Sequence, residues 1–164
     1  MNRRSLASVS LMVVTLLVAL PVPGAPPAAG KVEGTFMVAG ADAQLKHVRA
    51  ARVKLDEKGK VGYAVLISAK PATGDISRWR LEDPSERGSF VFVLFETSGA
   101  VWVAHLAHAK AKSRNFGVVT ELQKAAFEVR DQRLLAKIRT DGEQTFTDDR
   151  YSVDLRFEAA IEGP

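Results

Sequence analysis

Ser89-Phe90-Val91-Phe92-Val93-Leu94-Phe95, then Glu96-Thr97-Ser98-Gly99, then Ala100-Val101-Trp102-Val103-Ala104-His105-Leu106-Ala107, is the stretch on which the fold turns. It predicts two strands joined by a tight turn. Phe90, Phe92 and Leu94 point one way, and Val91, Val93 and Phe95 point the other. Both sets are apolar, so the first strand is expected to be covered on both faces. At roughly 1.5–3 kcal/mol per fully buried large side chain, the run contributes on the order of 10 kcal/mol before conformational entropy is set against it. Glu96 to Gly99 supplies the polar break and a glycine for a positive φ.

Upstream, Lys31–Ala39 alternates and reads as the first strand, closed by a turn at Gly40-Ala41-Asp42. Ala43–Leu55 changes phase at Val48 and again at Val53, which predicts a bulge or break in a strand; a helix over Ala43–Val53 is the competing reading. A charged turn, Asp56 to Lys60, leads into a strand over Val61–Ala69, stopped by Pro71. Asp75 to Arg87 is polar, with Asp75 placed to cap a short helix carrying Ile76, Trp79 and Leu81; a surface connection is the alternative.

Downstream, His108 to Arg114 is basic and alanine-rich, helical by propensity, and Phe116–Thr120 reads as a strand. Glu121–Thr140 has a helical composition but a poor helical face. As strands it gives Phe127 with Val129, a turn at Arg130-Asp131-Gln132, then Leu134, Ala136 and Ile138, which is the preferred reading. Asp141-Gly142 marks another turn. Arg150–Ile161 has the cleanest alternation, with Tyr151, Val153, Leu155, Phe157, Ala159 and Ile161 inward. The expected fold is mostly β: an antiparallel β-sandwich or partly open barrel with at most one or two short helices.

Residues 1–25 have the layout of a secretory signal peptide: basic Arg3-Arg4, an apolar run from Leu6 to Leu20, then Pro21 to Ala25. The apolar part is about 15 residues, short of the roughly 20 needed to span a membrane. Export is expected, by the general secretory route rather than the twin-arginine one, with cleavage between residues 24 and 30. Residues 26–30 then form a flexible linker and 31–164 a single β-domain, periplasmic or secreted, with no stable transmembrane span after the leader is removed.

The 164-residue chain is 46% hydrophobic and 26% charged, as for an ordinary globular domain. Its formal charge of +4 falls to +2 once Arg3 and Arg4 leave with the leader, which gives no electrostatic case for nucleic acid. The absence of cysteine removes disulfides, thiol catalysis and Cys-type metal sites.

Several segments together resemble a group of small exported bacterial β-domain proteins of unknown function. They are the Gly-x-x-x-Val-x-Gly strand from Gly34 to Gly40, the Leu-x-His-x-x-Ala segment from Leu45 to Ala50, Val65 to Ser68 with Lys70-Pro71, and the terminal Phe157-Glu158-Ala159. The resemblance implies export and a β-fold and carries no activity. Where typical members have acidic residues after the Leu-x-His segment, this chain has Arg52 and Lys54.

Three histidines, His47, His105 and His108, are the candidate metal ligands. In a strand His105 and His108 project to opposite faces, whereas on a helix they converge; the alternative is histidines hydrogen-bonded at the surface or a strand edge. Arg78-Trp79-Arg80 is the candidate ligand-binding group, an aromatic flanked by cations that suits stacking on a sugar or base. Its competing role is to close over the edge of the core. Glu82-Asp83 and Asp148-Asp149 read as loop charges, and Lys110–Arg114 as a solvated loop. There is no Gly-x-Ser-x-Gly and no phosphate loop. The functional expectation is an exported binding or interaction module with no catalytic set and no cofactor. Its partner is an unidentified envelope protein, glycan or small ligand. A histidine-based metal protein of the cell envelope is the alternative.

Overall fold

A computed structural model describes residues 30–76, 88–113 and 121–163. Ten strands follow in chain order: β1 Lys31–Val38, β2 Ala41–Asp42, β3 His47–Lys54, β4 Val61–Ser68, β5 Phe90–Glu96, β6 Val101–Ala107, β7 Gln123–Arg130, β8 Arg133–Arg139, β9 Gln144–Phe146 and β10 Asp149–Glu162. Strands make up 62% of the described residues, no helix occurs among them, and the sheet curls into an open half-barrel. The strand expected over Phe116–Thr120, and all but the first residues of the short helix expected from Asp75, lie outside the described residues.

The strand with the cleanest alternation is also the longest, and it forms the spine. β10 pairs antiparallel with β1 from Tyr151 to Glu158, and on its other flank with β9 and β8. Beyond the start of β1, its last residues Ile161 and Glu162 pair parallel with Ala50 and Ala51 of β3. The path then runs β3–β4–β5–β6 as antiparallel neighbours. Its 14 residues of extended chain let one strand serve both halves of the curl.

The two faces of β5 do what their composition requires. Val91, Val93 and Phe95 enter the interior core with Phe36, Val65, Leu134, Ile138 and Phe157. Phe90, Phe92 and Leu94 join a second apolar layer on the outside, with Ala64, Leu66 and Ile76. A two-sided apolar strand therefore means a filled half-barrel with a further layer outside it.

Local irregularities follow the sequence cues at the turns but not within residues 47–54. The expected bulge or break at Val48 and Val53 does not occur: β3 pairs with β4 in unbroken register from His47 to Lys54, and the chain breaks earlier, between β2 and β3, where Gln44 takes φ 53°; the helical alternative for Ala43–Val53 is replaced by β3. Glu121–Thr140 contains the predicted pair of strands. Its turn residues Asp131 and Gln132 both have positive φ, 48° and 59°, matching the right-handed twist of a two-residue hairpin. Gly99 (φ 79°) closes the β5–β6 turn, and a Cβ there would overlap the ring of Phe127.

His108–Ser113 is not helical. It forms a strap from the end of β6 to the start of β10. Ala109 N–H donates to Ser89 Oγ (3.0 Å), Lys110 N–H to His108 Nδ1 (3.0 Å) and Ala111 N–H to the His108 carbonyl (3.0 Å). Lys112 and Ser113 N–H donate to the two carboxylate oxygens of Asp149 at 3.2 and 3.0 Å. Asp149, expected to be a loop charge, is 1% exposed. Every amide from Ala109 to Ser113 thus has an acceptor, which is what a strap without a partner strand needs. On the opposite side Arg49 of β3 holds Glu162 through Nε (2.6 Å) and Nη2 (2.5 Å), while Nη1 donates to the carbonyls of Ala72 and Gly74. That fork fastens the end of β10 to the segment leading to Ile76 and raises the Arg49 pKa, chiefly through its bond to Glu162.

Candidate functional site

The three candidate metal ligands are not brought together. His47 opens β3 opposite Ser68, and His105 lies opposite Phe92 with its ring 6.4 Å away, so both face the outer layer. They stand three strand spacings apart, about 14 Å. His108 faces the interior, edge-on to Phe36 at 5.2 Å between ring centroids. His105, in β6, and His108, in the strap just after it, thus project to opposite faces, and the convergence that a helix would have given does not occur. Among the described residues no group of three or more His, Asp or Glu is arranged to hold a metal ion. Arg78, Trp79 and Arg80 lie outside the described residues.

His108 itself is 3% exposed. Its Nδ1 accepts from Lys110, which fixes the proton on Nε2, and Nε2 makes no hydrogen bond of normal geometry. Burial pushes its pKa down; the Ala41 carbonyl, Asp42 and Asp149 oppose that shift, and Lys110 adds to it.

What sequence reasoning passed over is Trp102. Across the β5–β6 pair Leu94 lies opposite Val103 and Phe95 opposite Val101, so Trp102 is the extra residue of a β-bulge. The bulge turns the indole out of the sheet, leaving Trp102 42% exposed. Lys60 places its ammonium 4.3 Å from the ring centroid, and the same ammonium pairs with Glu96 at 2.9 Å.

Each member of this group stands on anchored backbone. Lys60 N–H donates to Asp56 Oδ1 (2.9 Å) and the Lys60 carbonyl accepts from Leu55 N–H (2.7 Å). Glu96 N–H donates to the Ala100 carbonyl, and Gly99 N–H to the Glu96 carbonyl, both at 2.8 Å. Beneath the turn, Phe127 packs on Phe95 and Tyr63 at 5.3 and 6.1 Å, and Lys124 Nζ donates to the Ser98 carbonyl (3.1 Å). The arrangement presents a partly exposed indole with an ammonium over its ring and a carboxylate paired to that ammonium, on anchored backbone.

No sequence signal marks Trp102. Residues 101–104 are apolar on both faces, so parity does not reveal where one residue is inserted. A shallow concavity of about 580 Å³ elsewhere, across β1, β10, β8 and β7, has apolar lining from Ala126, Phe127, Leu135, Ala136 and Phe157 and a charged rim that includes Lys31, Glu33, Lys137 and Glu158. Two of its charged residues are ion-paired with neighbours, Glu158 with Arg133 and Lys137 with Asp154. Compared with known proteins, the chain matches no family model, no curated protein and no solved structure.

Proposed function

We propose that the protein is an exported binding module which engages its partner at the surface rather than in an interior cavity. The observation that carries this reading is Trp102. The interior of the half-barrel is filled by side chains that are almost wholly buried, while this indole is turned outward at a bulge and steadied by Lys60 and Glu96. Residues 1–25 supply the export signal, and no helix among the described residues is long and apolar enough to cross a membrane. An envelope protein, a glycan or a small ligand all fall within this reading. The separation of His47, His105 and His108 weighs against the metal-binding alternative.

Two measurements test it. The full chain should be found outside the cytoplasm, cut between residues 24 and 30, and a chain lacking residues 2–20 should stay inside. The processed protein should be retained by cell-envelope fractions, with retention lost in Trp102→Ala. Equal retention of the variant would remove the surface assigned here, and cytoplasmic accumulation of the full chain would remove export.

A further inference from the structure

Resting on the surface-binding reading, we infer that the Trp102–Lys60–Glu96 group is a stacking site for a neutral sugar ring. The aliphatic face of a pyranose suits the exposed part of the indole, which is 42% accessible with Lys60 over its ring. Its hydroxyls need both donors and acceptors, and the site has one of each: the Lys60 ammonium donates and the Glu96 carboxylate accepts.

Other occupants fit less well. A nucleotide or anionic glycan would find the one ammonium of the group already paired with Glu96 at 2.9 Å, so the site offers it no net positive charge. A protein partner needs an apolar centre to its interface, and among the described residues the only other exposed large hydrophobic is Val129, on β7. A lone indole ringed by charge matches a single polar ring better than a broad patch. The bulge favours the same role, because it re-aims a side chain that regular pairing would have laid against the sheet.

The test is calorimetric titration of the processed protein with a panel of neutral oligosaccharides of glucose, mannose and N-acetylglucosamine. At least one should bind, with affinity lowered by about tenfold or more in Trp102→Ala and partly retained in Trp102→Phe. Glu96→Gln should weaken binding by several-fold, since one charged acceptor is lost and stacking is kept. Circular dichroism of each variant separates site loss from unfolding, and Trp102→Phe keeps the test open if Trp102→Ala does not fold. Binding of no member of the panel, with Trp102-dependent retention on envelope fractions intact, overturns the sugar assignment and leaves the binding module standing. Sugar binding unchanged in both Trp102 variants overturns the site.

Discussion

Replacing Asp149 with alanine should detach the strap that runs from β6 to β10. The carboxylate is 1% exposed and accepts two amide bonds, from Lys112 at 3.2 Å and Ser113 at 3.0 Å. Charge-assisted bonds of this kind contribute about 1.5–3 kcal/mol each, so two give roughly 3–6 kcal/mol. Relief of carboxylate desolvation offsets part of that, leaving a net loss of about 3 kcal/mol. For a domain with about 5–15 kcal/mol of total stability, that is a large share. The midpoint of thermal unfolding should fall by about 10 °C. Asp149→Asn keeps one acceptor and turns an amide donor toward the other N–H, so it should lose at least half as much. Urea denaturation gives the free energies, and hydrogen exchange at Lys112 and Ser113 reports the strap locally. A loss under about 1 kcal/mol in Asp149→Ala, with those two amides still protected, would show that the carboxylate does not hold the strap.

Three further outcomes are expected. Because the folded pKa of His108 lies below its ordinary value, the unfolded chain takes up that proton first; this share of the stability is complete above about pH 6.5 and declines as pH falls below it. His108→Asn, which keeps an acceptor near the Nδ1 position and does not titrate there, should flatten that part of the stability–pH curve measured by urea unfolding. Tyr151, pushed up to about 12 chiefly by burial, should ionise in the folded protein well above the ordinary tyrosine range, so its contribution is lost as pH rises from 10 toward 12; ultraviolet titration should resolve it as a late-ionising tyrosine that Tyr151→Phe removes. Gly99→Ala forces both a positive φ and an overlap with Phe127, and should cost about 2–4 kcal/mol in denaturant melts, against a smaller loss of about 1 kcal/mol for Gly40→Ala, where the φ is positive but the space is open.

The fold was legible wherever one period dominated. Tyr151 to Ile161 alternates without interruption, and the burial of β10 follows it. Val61–Ser68 and Phe90–Glu96 carried both their strand character and the assignment of each face, since neighbouring apolar residues in a strand have nowhere to go but opposite sides. Residues 121–140 were harder to read, because their helix-favouring composition was overridden by cross-strand pairing with β10. The site was less legible. Trp102 depends on a register shift that no local pattern encodes. Asp149 looked like one of two loop charges, and only the return of residues 112–113 across the molecule makes it an interior acceptor. The basic, alanine-rich run at His108 suggested helix because propensity carries no information about which acceptors tertiary structure will supply.

Trp102 and the His108–Ser113 strap lie at the same edge of the curled sheet, where the chain leaves regular pairing and amides or side chains must find other partners. β6 is that edge among the described residues, and it carries the bulge at one end and the Asp149-held strap at the other. Each device hinders addition of a further strand: the bulge interrupts the ladder, and the strap draws the following chain across to β10. An edge closed to strand addition can still offer a side chain, and Trp102 stands where the bulge directs it. The recognition we propose therefore runs through an exposed ring rather than through backbone pairing. A peptide that added to β6 as a strand would require the Trp102 bulge to be ironed out, and new amide protection along Val101–Val103 on its binding would tell against recognition through the ring.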